Sequence, residues 1–240
     1  MEGQLPFSGQ GGIGRGNDPF LLAVITLPVF FPGEAVWLEG LLAAGLEKLH
    51  LRKPGAGAAE MEGLLRQIAP RWHSRLVLHG SRKLWSLAAR YCIPQVHCPL
   101  GELGVGGHKD AGQGRSVGTP EGRTLMGQAA GDPLVFSASL HSWDELKGIE
   151  GVGLAYVFMS PVFNSISKPG YPANPDLLQR PTGPYPCKVI GLGGVDKDTI
   201  GGLVREGWDG AAVLGWIWEE PGVAVKRYEQ LKKIIKENGL

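Results

Sequence analysis

The stretch that decides the fold reads Lys-Val-Ile-Gly-Leu-Gly-Gly at residues 188–194, and Gly-Ala-Ala-Val-Leu-Gly follows at residues 210–215. Each stretch is a short apolar run that ends in glycine and precedes a helical pattern. A bound phosphate needs N–H donors that converge from several segments, and glycine lets the backbone come close because it has no Cβ. In an eight-stranded β/α barrel, the loops after strands seven and eight form the usual phosphate site. Phosphate contacts are therefore predicted at Gly193, Gly194, Leu214 and Gly215.

The rest of the chain supplies the six earlier strands of such a barrel. Strands are predicted at residues 20–27, 48–53, 76–80, 95–98, 135–140, 156–163, 188–192 and 210–218. Helices are predicted at residues 34–44, 58–68, 81–91, 142–150, at 196–206 with Asp196 as N-cap, and after Pro221. Alternating strands and helices are typical of a parallel sheet, and 240 residues suit one TIM barrel. The predicted fold is a single (β/α)8 barrel in the α/β class, over residues 19–240.

Two Gly-rich segments do not follow the barrel pattern. Residues 1–18 are aperiodic and predict a flexible N-terminal tail. Residues 99–133 stand where the fourth helix of the barrel should be, and an insertion of this length is either a lid or disordered. Its composition, with many glycines and little apolar periodicity, favours disorder over a lid.

The composition excludes several classes of partner. Hydrophobic residues make up 43% of the chain and the formal net charge is +1, so no basic field for nucleic acid is present. No apolar run is long enough to span a membrane, and the N-terminus lacks a signal-peptide layout. We expect a cytoplasmic protein whose partners are small-molecule phosphates; association into a homo-oligomer is left open. The cysteines, Cys92, Cys98 and Cys187, are too few and scattered for a disulfide framework and are predicted to be free thiols.

Five short segments, in a fixed order, carry a resemblance to a known family. They are LHLRK at 49–53, VH at 96–97, SLHS at 139–142, SPVFNSISK at 160–168 and GLGGV at 191–195. Together they resemble the thiamine phosphate synthase family, which includes the thiazole tautomerase branch, TenI. The resemblance covers most of residues 20–235 outside the insertion.

The resemblance implies a β/α barrel that acts in thiamine biosynthesis. The synthase joins hydroxymethylpyrimidine diphosphate to a thiazole phosphate, releases diphosphate and uses magnesium. The tautomerase isomerises a carboxythiazole phosphate without a metal. Both are expected to hold the thiazole phosphate in the late glycine loops.

The resemblance also implies an anion-binding set. Arg52 matches the family arginine that contacts diphosphate, and a planar guanidinium suits two phosphate oxygens at once. A structural ion pair at the barrel rim is the alternative for this arginine. Lys53 is a less exact match to a family lysine that reaches the same anion. Ser165, Ser167 and Lys168 match the segment that wraps the diphosphate, with a solvated loop as the alternative.

A histidine near the end of the fifth predicted strand is the candidate for proton transfer. His141 follows Ser139 and matches a histidine of the tautomerase branch, and the two form the predicted catalytic pair. An imidazole can both take and give a proton near neutral pH, as an isomerisation requires. The segment Ser-Leu-His-Ser is also compatible with a purely structural cap of the next helix.

The metal requirement depends on the reaction. A synthase normally carries Asn-Asp after strand three, where this chain has His79 and Gly80, while Glu102 lies near the position of a further aspartate. Magnesium is therefore expected for a synthase in which Gly80 replaces the usual aspartate, and no metal for a tautomerase. His50, His79 and His97 fall on three predicted strands. They form either a metal site or hydrogen-bonded interior side chains, and the sequence favours the second.

Of the activities that remain open, the synthase comes first because Arg52 and residues 165–168 suit a diphosphate. The tautomerase, with His141 as acid and base, is the close alternative. A non-catalytic protein that binds thiazole phosphate is the third hypothesis.

Overall fold

Eight parallel strands close into a barrel in the computed structural model, which describes residues 19–105, 128–129, 132–164 and 173–239. The strands, in chain order, are Leu21–Ile25, Lys48–Leu51, Leu76–His79, Gln95–His97, Val135–Leu140, Tyr156–Met159, Lys188–Leu192 and Gly210–Val213. Each strand pairs in parallel with its neighbours in the chain, and the first strand closes the barrel by pairing with the eighth. The predicted (β/α)8 fold is confirmed.

Helical segments connect the strands on the outside of the barrel. The α-helices are Glu34–Ala43, Ala58–Leu65, Trp85–Arg90, Pro175–Leu178, Ile200–Arg205, Gly215–Trp218 and Ala224–Glu237. Short 3₁₀ helices are Pro70–Arg75, Arg82–Leu84, Leu100–Leu103, Trp143–Ile149 and Pro221–Val223. The last α-helix buries Ala224, Tyr228, Leu231 and Ile235. This spacing forms one apolar stripe, because residues three and four apart share a helix face.

Three predicted elements differ from the structure in their type or in where they begin. Residues 210–218 are not one strand: the strand ends at Val213, and a helical turn follows, in which the buried Trp218 donates its indole N–H to the carbonyl of Ile25 at 2.7 Å. The helix predicted at 142–150 is a 3₁₀ helix, in which the two buried residues, Leu146 and Ile149, stand three apart. That spacing fits a helix with three residues per turn.

The helix predicted from Asp196 begins only at Ile200. Asp196 instead closes the preceding turn, since its Oδ1 accepts the N–H groups of Asp198 at 2.9 Å and Thr199 at 3.0 Å. Such local hydrogen bonding by aspartate competes with helix formation.

Side chains alternate between the inside and the outside of the barrel, and this divides the core into two parts. The larger part lies between the strands and the helices. Inside the barrel, one side is apolar and contains Ala23, Ile25, Tyr156, Phe158, Ile190 and Ala212. The other side carries the buried polar residues His50, Gln95, His97 and Ser137. The barrel interior therefore offers polar chemistry on strands two to five.

The two unusual segments lie mostly outside the described residues, as do the predictions made for them. This holds for the predicted tail, residues 1–18, and for most of the predicted insertion, residues 99–133. The described parts of that insertion include the 3₁₀ helix Leu100–Leu103 and a short antiparallel pair, Gln128–Ala129 with Asp132–Pro133. Among the described residues, no helix is both long and apolar enough to cross a membrane.

Candidate active site

The four residues predicted to contact phosphate lie together at the carboxyl end of the barrel. Gly193 and Gly194 follow the seventh strand, and Leu214 and Gly215 follow the eighth, which is its neighbour. Within the described residues, none of their N–H groups donates a hydrogen bond. Free backbone donors at the ends of adjacent strands are the arrangement that a phosphate requires.

Close packing also explains why two of these positions are glycine. Gly193 and Gly194 have φ angles of 100° and 62°. A Cβ on Gly194 would lie 2.3 Å from the carbonyl oxygen of Asn164, and one on Gly193 would lie 2.9 Å from Cα of Pro161. The N–H of Phe163 donates to the carbonyl of Gly193 at 3.1 Å. The glycine turn therefore holds the loop that follows the sixth strand.

That loop leads into the predicted diphosphate segment. Ser165, Ser167 and Lys168 themselves lie outside the described residues, and their role stays a prediction. The described residues on either side of that segment are joined, because Asn164 Oδ1 accepts the N–H of Ala173 at 2.8 Å. Asn164 itself packs against Gly194 of the glycine turn.

Arg52 stands directly after the second strand, with its backbone held by a hydrogen bond and its side chain without a partner among the described residues. Its N–H donates to the Thr26 hydroxyl at 2.9 Å. Among the described residues, no acidic side chain pairs with its guanidinium and no acceptor bonds to it, so the alternative of a rim ion pair finds no support there. The guanidinium is therefore available to an anion.

Lys53 is used differently from what the sequence predicts. Its ammonium is buried and donates to the carbonyls of Leu27 at 2.9 Å and Val29 at 2.7 Å, and to Glu34 Oε1 at 2.5 Å. An ammonium has three N–H donors, and all three are taken. Lys53 therefore belongs to the structural support of the first loop, and we remove it from the predicted phosphate site.

Burial disfavours the charged form of both partners in the pair of Lys53 and Glu34. Burial raises the pKa of Glu34 and lowers the pKa of Lys53, while the contact between them opposes both shifts. Glu34 Oε2 is buried and has no hydrogen-bond partner among the described residues. The negative charge of the Glu34 carboxylate is therefore balanced by the ammonium of Lys53.

His141 is exposed and held in a defined tautomer. Its Nδ1 lies 2.8 Å from the carbonyl oxygen of Ser160. A carbonyl only accepts, so Nδ1 carries the proton and neutral His141 keeps the lone pair on Nε2. The backbone N–H of His141 donates to Glu145 Oε2 at 3.0 Å, and Ser142, the N-cap of the next helix, makes no side-chain cap hydrogen bond. Since Nδ1 of His141 is bound to the Ser160 carbonyl, the imidazole does not cap that helix.

Ser139 lies inside the barrel and does not contact His141 through a hydrogen bond. Its hydroxyl is 3.0 Å from His97 Nε2, and the Ser137 hydroxyl is 3.1 Å from His97 Nδ1. The predicted catalytic pair is therefore not a hydrogen-bonded pair, and Ser139 belongs with His97.

The magnesium ligands expected of a synthase are not assembled among the described residues. Glu102 lies on the 3₁₀ helix after strand four, and its Oε2 is 3.8 Å from Nε of Arg82. A Cβ on Gly80 would lie 2.5 Å from Leu84 Cδ1, so an aspartate at this position would require the Leu84 side chain to move. Within the described part of the chain, no cluster of carboxylates has metal-binding spacing.

Three histidines meet inside the barrel instead. His50, His79 and His97 each place one ring nitrogen within 4.8 Å of the others, and His50 Nδ1 is 2.8 Å from His79 Nε2. Burial is the main cause that lowers the pKa of all three, and with the charge of Arg52 it brings the pKa of His97 to about 3. The three imidazoles are therefore neutral at neutral pH.

Sequence reasoning missed the residue that completes this cluster. The Tyr156 hydroxyl lies 2.7 Å from His50 Nε2, across the barrel from the second strand. Burial raises the pKa of Tyr156, so it remains a neutral hydroxyl. The sequence placed Tyr156 on a strand, but no sequence signal indicated that its hydroxyl contacts a histidine.

Comparison with solved structures shows which fold class the chain has. The chain resembles the solved thiamine phosphate pyrophosphorylase from Bacteroides thetaiotaomicron with a TM-score of 0.60, 24% identity, and coverage of 90% of this chain and 97% of that one. For the thiamine phosphate pyrophosphorylase from Pyrococcus furiosus the TM-score is 0.63 and the identity 19%, with coverage of 91% of this chain and 96% of that one. For (S)-3-O-geranylgeranylglyceryl phosphate synthase from Thermoplasma acidophilum the TM-score is 0.57 and the identity 12%, with coverage of 92% of this chain and 94% of that one. These likenesses define the chain as a (β/α)8 barrel.

One stretch in the second half of the sequence matches a known family. Residues 123–217 match the family TMP-TENI, described as thiamine monophosphate synthase. They include the glycine turn after strand seven and the segment predicted to wrap the diphosphate. The predicted resemblance to the thiamine phosphate synthase and TenI family is confirmed.

Proposed function

We propose that the protein is a thiamine phosphate synthase-like enzyme that joins hydroxymethylpyrimidine diphosphate to thiazole phosphate and releases diphosphate. The observation that carries the proposal is the guanidinium of Arg52, which has no partner among the described residues and stands at the carboxyl end of the barrel. A guanidinium can bind two oxygens of a diphosphate and balance the charge that develops as diphosphate leaves.

The second anion site lies close to the first around the rim. The thiazole phosphate would bind the N–H groups of Gly193, Gly194, Leu214 and Gly215. In the barrel, only the first strand separates the eighth strand from the second, which carries Arg52. The two substrates would therefore be held with their anionic groups at nearby points of the same rim, and this proximity favours their reaction.

Among the described residues, none supplies the carboxylate that a synthase carries after strand three, because this chain has Gly80 at that position. We therefore assign no step to magnesium. Arg52 and, by sequence match, Ser165, Ser167 and Lys168 would supply positive charge and hydrogen bonds to the leaving diphosphate.

A second candidate, thiazole tautomerisation, is favoured by the geometry of His141. With Nδ1 bound to the Ser160 carbonyl at 2.8 Å, the imidazole has a fixed orientation, and its Nε2 has no partner in the part of the chain that the structure describes. Such a group can remove a proton from one atom of a thiazole and return it to another. This reaction requires no carboxylate near Gly80.

The two reactions are separated by assaying both with matched variants. Purified protein is incubated with the two synthase substrates, with and without magnesium, and thiamine phosphate is followed by chromatography. Carboxythiazole phosphate is incubated separately, and its isomerisation is followed by NMR. For a synthase, Arg52→Ala should lower kcat/KM by about 100-fold or more, whereas His141→Asn should have a smaller effect.

For a tautomerase, His141→Asn should lower kcat/KM more than Arg52→Ala does, because proton transfer depends on His141. Arg66→Ala, an exposed arginine paired with Glu62 on the second α-helix, serves as the control and should leave either activity unchanged. Binding of thiazole phosphate by calorimetry without turnover of either substrate would reject both reactions and leave a binding protein.

A further inference from the structure

Three imidazoles from neighbouring strands converge inside the barrel, where the sequence favoured hydrogen-bonded interior side chains over a metal site. His50, His79 and His97 come from strands two, three and four, and His79 is paired in register with His97. One ring nitrogen from each lies within 4.8 Å of the others. We propose that His50, His79 and His97 bind one divalent transition-metal ion of the zinc class.

The ligand set determines the kind of ion. Imidazole nitrogen suits zinc, copper, iron and nickel, whereas magnesium and calcium prefer oxygen ligands. A three-histidine site with one open position is a known arrangement for zinc in enzymes generally. The proposed site is therefore chemically distinct from the magnesium site of a synthase, and it does not rest on the proposed function.

Small movements would complete the coordination. Two nitrogens bound at about 2.1 Å to a tetrahedral ion lie about 3.4 Å apart. The contact of 2.8 Å between His50 and His79 has to open, and the widest separation, at most 4.8 Å, has to close. These shifts are within the reach of a rotation of the imidazole rings.

The surroundings orient the rings as the outer shell of a metal site does. The Tyr156 hydroxyl lies 2.7 Å from His50 Nε2, and in the tautomer in which Nε2–H donates to it, the Nδ1 lone pair of His50 points toward His79. His97 contacts Ser137 and Ser139 through its two nitrogens at 3.1 and 3.0 Å. One hydroxyl has to turn away for His97 to ligate, and Ser139 is the less buried of the two. Partners of this kind fix the tautomer of a ligating histidine.

One nearby charge opposes the ion. Arg52 is close enough for its charge to contribute to the lowered pKa of His79 and His97. We therefore expect the ion to bind together with an anionic fourth ligand, such as hydroxide or chloride, which offsets the repulsion. His79, the least buried of the three, provides the side from which an ion can enter.

The first test uses the whole chain without substitutions. Protein stripped by a chelator is titrated with Co²⁺, and the visible absorption of tetrahedral cobalt is followed. We expect one ion per chain, displacement by Zn²⁺, and three nitrogen ligands at about 2.0 Å in X-ray absorption of the zinc form. Stripped protein that takes up neither ion, or a zinc spectrum without three such nitrogens, would overturn the proposal.

Variants then locate the ion. His79→Gln should weaken cobalt binding by more than about 100-fold, and Tyr156→Phe by about 10- to 100-fold, because it removes only an outer partner. His141→Asn, which changes a histidine outside the cluster, should bind as the natural chain does. Circular dichroism establishes that each variant is folded, and His50→Gln replaces His79→Gln if the latter is not. Undiminished cobalt binding by a folded variant of either histidine would refute the site.

Discussion

Replacing Lys53 tests whether this lysine supports the fold or contacts the substrate. In Lys53→Met the apolar chain keeps about the same length, but the carbonyls of Leu27 and Val29 and the carboxylate of Glu34 lose their shared donor. Breaking a buried pair by removing one partner costs about 3–5 kcal/mol, since an uncompensated charge stays buried. For a chain of this size that corresponds to a fall in Tm of roughly 6–20 °C.

The assay is urea unfolding followed by tryptophan fluorescence, with a double-mutant cycle. Glu34→Leu removes the other partner, and the double variant should lose less stability than the sum of the two single changes by at least about 1 kcal/mol. The Kd for thiazole phosphate, measured on folded Lys53→Met, should be unchanged, because all three donors of Lys53 are occupied. Unchanged stability together with a large loss of phosphate affinity would refute the structural role.

Three further predictions concern other parts of the barrel. Burial raises the pKa of Cys98 and of the half-buried Cys187 to about 12 in each case, so at pH 8 a thiol reagent should label only the exposed Cys92 rapidly, and two or three fast equivalents would contradict this. Because these two pKa values are raised in the folded chain, its stability should fall as the pH rises above about 9. Gly194→Ala should destabilise the chain by at least about 2 kcal/mol in chemical unfolding, because φ is 62° and the new Cβ meets backbone; a change under 1 kcal/mol would show that the turn adapts. Arg52→Lys should retain less than about a tenth of the activity measured with the natural chain, since a lysine cannot bind two oxygens in one plane; full activity would exclude bidentate contact.

Much of the fold could be predicted because its signals are local. The glycine-terminated runs at 188–194 and 210–215, and the alternation before them, indicated eight strands and the end at which a ligand would bind. Arg52 could be assigned to that end because it stands near the end of the strand predicted at residues 48–53. The error at residues 214–218 has the same origin, because a short apolar run is equally compatible with a buried strand and a buried helical turn.

The sequence by itself determined which residues lie on strands and at the carboxyl end of the barrel. Only the tertiary structure decided which of them meet. Lys53 follows Arg52 in the chain but turns away to Glu34, because side chains at successive positions face opposite ways. His50, His79 and His97 come together because the register of three strands and the closure of the barrel bring their rings to one side of the interior. Register and closure depend on contacts between distant segments, and no local pattern encodes them.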